Sequence, residues 1–98
     1  MNVYLLSFNP FANNFTYTQL LSFIKDNRKV YQFFSPYAGT YILKSVEGIR
    51  SMQDSFEGFF EGTHFVIAKL QVFETGGLLV QDAWDWMAAG QNPTLPGS

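Results

Sequence analysis

The chain has 98 residues, 47% hydrophobic, 18% aromatic and only 14% charged, with a formal net charge of −2. That balance excludes a disordered chain, and the length fits one domain. With no Cys and a single His, a disulfide framework, a zinc ribbon, a thiol nucleophile and a multi-histidine metal site are excluded within one chain.

Val3 to Asn9 reads as the first strand. Val3, Tyr4, Leu5, Leu6 and Phe8 are apolar on both alternating faces, as in a strand buried on two sides. Asn9-Pro10 breaks it. Thr16-Tyr17-Thr18-Gln19 fits a capping box, with Phe15 and Leu20 at the positions of a hydrophobic staple. Tyr17, Leu20, Leu21 and Ile24 then recur at helical spacing, Phe23 falls outside the stripe, and the helix is expected to end near Asn27. Lys25, Arg28 and Lys29 gather at that end, where cations favour the helix dipole.

Lys29 to Ser35 is the predicted second strand, Ser35 to Gly39 a turn, and Thr40 to Lys44 the third strand, together an antiparallel hairpin. A second helix follows, capped by Ser45 with Glu47 in its first turn. Its core stripe is Val46, Ile49, Met52, Phe56, Phe59 and Phe60, and Gly62 stops it. His64 to Val72 is the fourth strand. Glu74 to Gly77 turns, Leu78 to Val80 forms a short fifth strand, and Asp82 to Ala89 is locally helical. Gly90 to Ser98 reads as a disordered tail, leaving 1–89 as the domain.

The order β-α-β-β-α-β predicts an α+β, ferredoxin-like fold. Its antiparallel sheet carries two helices on one face, and a C-terminal short strand and helix follow. Alternation gives every strand a second apolar set, which would leave a patch larger than monomers tolerate. That face must be covered by the chain's own C-terminal segment, by a second copy or by nucleic acid. Trp84 and Trp86, two apart, do not share a helix face, so at least one is expected against another surface such as a partner chain. A homodimer is the favoured cover.

The stretches YLLSFNPF and GGLLVQDAWDW, with the loop into a capped helix, resemble small CRISPR-associated adaptation proteins of the ferredoxin-like type and their SinR-like and VapD-like relatives. The resemblance spans roughly Asn2 to Met87. It implies a homodimer in which Leu78 to Val80 cross onto the partner and Trp84 or Trp86 anchors it. Several members are described as metal-dependent nucleases with an aspartate ending the first strand. Here Phe8-Asn9 stands at that place, and a neutral amide lacks the anionic oxygen that magnesium prefers.

Six basic residues against eight acidic ones give no footprint for duplex nucleic acid. His64 has no evident partner, and Asp54, Glu57 and Glu61 read as a solvated face. The expectation is therefore a non-enzymatic, homodimeric protein-interaction module without catalytic residues, metal or cofactor. A phage or mobile-element protein that binds a host complex fits this description. Interaction candidates are Tyr4, Phe33 and Tyr41 on the sheet, and Leu78, Leu79, Val80, Trp84 and Trp86 in the C-terminal segment. Two alternatives are a divergent metal-dependent nuclease or toxin, and a single-stranded RNA binder using Tyr4, Phe33 and Phe65. The opening MNVYLLSFNPF lacks a basic leader, and no run of about 18 apolar residues occurs, so a cytoplasmic protein without membrane insertion is expected.

Overall fold

A computed structural model describes residues 1–89. The tail expected at 90–98 lies outside the described residues. The elements are β1 (Asn2–Phe8), α1 (Tyr17–Asp26), β2 (Gln32–Tyr37), β3 (Thr40–Ser45), α2 (Ile49–Glu57), β4 (Phe65–Leu70), a 3-10 turn (Val72–Glu74) and α3 (Gln81–Ala88). The strands form one antiparallel sheet in the order β2-β3-β1-β4, an α+β architecture.

The first helix forms where local chemistry asks for it. The Gln19 N–H donates to Thr16 Oγ1 at 3.1 Å, and the Thr16 N–H donates to Gln19 Oε1 at 2.8 Å. That reciprocal pair satisfies two donors that a helix start leaves open. Leu20 and Ile24 are buried, whereas Tyr17, at the edge of the stripe, is exposed. At the far end Asn27 Nδ2 donates to Ser55 Oγ at 2.7 Å, and Lys29 Nζ to the Ser51 carbonyl at 3.4 Å. These bonds tie α1 to α2, so Lys29 has a structural partner.

The second strand lies further along the chain than expected. It begins at Gln32 and runs through Pro36 to Tyr37, leaving Tyr31 exposed and only Ala38-Gly39 for the turn. Proline survives in a strand at a sheet edge or a bulge, and β2 offers both, because its pairing slips between Phe34 and Tyr37. Gly39 takes φ +84°, and a Cβ there would meet the Phe8 carbonyl at 3.0 Å, so the hairpin needs a glycine.

The second helix also starts late. Its N-cap is Gly48, not Ser45, because Ser45 closes β3 and its Oγ accepts the Glu47 N–H at 3.0 Å. Val46 consequently lies outside the helix, exposed, and Ile49 is half-exposed, while Met52, Phe56 and Phe60 are buried. His64 and Val72 fall outside β4. Leu78 to Val80 form no strand: Gly76-Gly77 precede them and they have no strand partner among the described residues.

Two cores follow from strand alternation. Tyr4, Leu6, Tyr41 and Leu43 meet Leu20 and Ile24 of α1 and Met52, Phe56 and Phe60 of the second helical segment. On the other face Val3 and Ile42 meet Val72 and Met87, with Leu5, Phe34, Leu70, Leu79, Trp84 and Trp86 around them. The chain's own C-terminal segment thus covers the face that a second copy was expected to cover.

Candidate functional site

One lysine ties the helical cover of the second face to the sheet. Lys44 projects from β3 onto that face, where it is buried. Its ammonium donates to the carbonyl of Trp86 and, at 3.4 Å, to that of Ala89. It also lies 4.4 Å from the centroid of the Trp86 ring. The last carbonyls of a helix have no internal partner and carry the negative end of its dipole, so a cation there fastens α3 to the sheet. Burial pushes the Lys44 ammonium below the usual lysine value.

Both tryptophans are used within the chain. Successive residues turn by about 100° around a helix, which sets Met87 between them on the inward side. Trp84 packs near Gly77, and Trp86 meets Phe34 edge-on with ring centroids 4.9 Å apart. Neither needs a partner chain to be covered.

The cover is incomplete at the start of α3. A groove of about 750 Å³ runs between β2 and the C-terminal segment, walled by Phe34, Pro36 and Tyr37 on one side and Leu78, Val80 and Trp86 on the other. Leu78 is 98% exposed, Val80 75% and Tyr37 60%. Below Leu78 and Leu79 a second space of about 180 Å³ reaches Leu5 and Ile42 on the sheet. The sole charged side chain in the groove wall is Asp82. Volumes of ~300–1,000 Å³ with apolar walls and few polar groups are typical of binding sites.

A second, polar cleft of about 500 Å³ lies where β1 ends, between Asn9, Asn13 and Asn14 and the turn at Glu61, Thr63 and His64. Asn9, Asn14 and Thr63 of this cleft are held by hydrogen bonds. Asn9 Oδ1 accepts the Phe11 N–H at 2.9 Å, and Asn14 Nδ2 donates to the Glu61 carbonyl at 3.0 Å, while Thr63 Oγ1 donates to Asn14 Oδ1. Asn9 is therefore a turn-forming residue. Among the described residues no three His, Asp or Glu side chains come together as a metal-binding group.

The eight interaction candidates separate into two groups. Tyr4 and Tyr41 are fully buried and Phe33 is half-buried, all on the face under α1 and α2. Their position in the strand alternation sends them inward, so they are core residues. Tyr4 donates to the Glu47 carbonyl at 2.5 Å, and burial raises its pKa. Among the described residues the Tyr41 hydroxyl has no hydrogen-bond partner, and burial, with Tyr17 beside it, raises its pKa further. Leu78, Leu79, Val80 and Trp86 line the groove, while Trp84 lines only the deeper space. Sequence reasoning missed Phe34, Pro36 and Tyr37 as wall residues. Pro36 in an apolar strand was the available signal.

The molecule is thus a small α+β protein with an apolar groove beside a sheet edge. No family model, no characterised protein and no solved structure matches the chain. Among the described residues no helix is long and apolar enough to cross a membrane.

Proposed function

We propose that this protein is a non-enzymatic interaction module that holds an extended segment of another polypeptide in the groove between β2 and α3. The observation that carries this reading is the near-complete exposure of Leu78, with Val80 and Tyr37, over a space that reaches the sheet. Exposed apolar side chains grouped around a concavity mark association surfaces. The deeper space suits one bulky apolar side chain as an anchor. Asp82, unopposed by any basic wall residue, favours a lysine or arginine beside that anchor.

The strand order β2-β3-β1-β4, with α1 and α2 on one face, supports a ferredoxin-like plan. That plan is compatible with the likeness to CRISPR-associated adaptation proteins and is shared by many unrelated families. A phage or mobile-element product that engages a host complex is one setting for such a module, and the gene neighbourhood tests it. The RNA-binding alternative loses its stacking platform, because Tyr4, Phe33 and Phe65 pack under the helices. The nuclease alternative gains no ligand from Asn9, which is held in its turn.

Peptides selected from a random display library test the proposal. The expected binders pair a bulky apolar residue with a neighbouring Lys or Arg and shift the amide signals of Leu78 to Asp82 and the Trp86 indole. Val80→Asp is expected to weaken them by at least about tenfold. Binders that shift the polar cleft instead, or a library that yields none, would overturn the reading.

A further inference from the structure

The two outer edges of the sheet are built differently. The β2 edge is interrupted by Pro36 and by the slip between Phe34 and Tyr37. Proline and bulges are the usual devices that keep an edge from pairing. The β4 edge has neither, and carries Lys69 as its single charged residue. Its sequence FVIAKL contains no Pro or Gly, and its register with β1 runs unbroken from Val3↔Leu70 to Phe8↔Phe65.

Which main-chain groups of β4 point outward follows from one hydrogen bond. The Phe8 N–H donates to the Gly39 carbonyl at 3.0 Å, on the β3 side of β1. Along an antiparallel strand the main-chain groups of successive residues aim to opposite sides. Tyr4 and Leu6 therefore bond toward β3, and Val3, Leu5 and Ser7 toward β4. The partners of those three are Leu70, Ala68 and Val66. That leaves Phe65, Ile67 and Lys69 with N–H and C=O aimed away from the sheet. Among the described residues no hydrogen bond reaches them.

We propose that this edge pairs with the same edge of a second copy, joining the two sheets into one antiparallel sheet across a two-fold axis at Ile67. The edge is complementary to itself in that register. Ile67 faces Ile67 of the partner subunit, and Phe65 faces Lys69 of the partner subunit, with every outward residue exchanging both of its bonds. Val66, whose side chain is 63% exposed on the second face, gains an apolar neighbour in Ala68 of the partner subunit. The Lys69 ammonium reaches the ring of Phe65 of the partner subunit, a favourable cation–π placement. Centring the axis on Lys69 would oppose two ammonium groups, which disfavours that register. This second copy adds to the sheet edge, whereas the copy expected from the sequence was to cover the sheet face. The groove lies at the opposite edge, so the dimer and the groove stand or fall separately.

A single strand pair is a small interface, so a dissociation constant on the order of tens of micromolar is expected. Sedimentation at increasing concentration should show a shift from 11.2 kDa toward twice that mass. Val66→Lys adds charge to the pairing edge. Lys69→Pro removes only an outward N–H, so the β1–β4 ladder keeps its bonds. Each is expected to raise the dissociation constant by about tenfold or more with an unchanged circular dichroism spectrum. Exchange of the Ile67 amide should slow as wild-type concentration rises, a readout that holds even where a variant fails to fold. Wild-type protein that stays at 11.2 kDa up to about 200 µM, dimers that persist in both folded variants, or Ile67 exchange independent of concentration would each overturn the proposal.

Discussion

The two faces of the sheet are covered by unlike means. Under α1 and α2 the core is closed by interlocking rings: Phe8, Phe15 and Phe60 lie 5.4–5.9 Å apart, and Phe23 stacks on Phe59 at 4.8 Å. Two helices, one with a complete capping box, lock that layer. On the other face one short helix does the work, and its start has no side-chain cap. Its other end is fastened by Lys44, and a cavity remains beneath its approach segment. Close packing serves stability, and the loosely covered face is where a ligand has room to enter.

Three substitutions sharpen that contrast. The largest effect belongs to the tight face. Phe56 is completely buried beside Phe23 and Phe60, so Phe56→Ala should cost about 3–5 kcal/mol in urea unfolding. A loss below about 1 kcal/mol would mean that this face packs no better than the other.

Lys44→Met comes next. It keeps most of the aliphatic stem and removes the charge-assisted bonds to Trp86 and Ala89. A loss of about 1.5–3 kcal/mol is expected. It should be local: amide exchange should accelerate in α3 while β1 and β3 keep their protection. Uniform acceleration would show that the two faces unfold as one unit.

The smallest effect is expected at Tyr41. Its hydroxyl is buried without a partner among the described residues, so Tyr41→Phe should change stability at neutral pH by less than about 1 kcal/mol. The substitution shows itself in alkali. Tyr41 keeps its proton in the folded chain above the ordinary phenol value of 10.0, where the unfolded chain has begun to lose it. The fold then binds more protons, and stability falls as pH rises above 10.0. Tyr41→Phe should reduce that fall and move the alkaline unfolding midpoint upward. An unchanged midpoint would mean that Tyr41 does not contribute to the loss.

Local signals were read well where they complete themselves locally. The capping box at Thr16 needs only four consecutive residues, and α1 begins where it says. The alternation of β1, β3 and β4 sorted their side chains into two sets that the structure keeps on opposite faces. It did not say which set lies under the helices, and Tyr4 and Tyr41, expected as interaction residues, are core. The reading failed where a distant partner decides. Ser45 has the chemistry of a helix cap, yet β1 pairs with it through Asn2 and holds it in β3. Leu78 to Val80 have strand-like side chains and, among the described residues, no strand to join.

The composition by itself showed an excess of aromatic residues over what one core needs, and the strand pattern gave them two faces. These are local facts: burial of apolar area drives them inward, and a period of two sends neighbours to opposite sides. What covers the second face depends on whether the C-terminal segment can reach back. That was decided in the tertiary structure, where Val72, Met87 and the tryptophans pack on the sheet and Lys44 of β3 bonds to the end of α3 lying over it. The groove has the same origin. Phe34 and Leu78 lie far apart in the chain and become opposite walls only because the sheet edge and the returning segment meet.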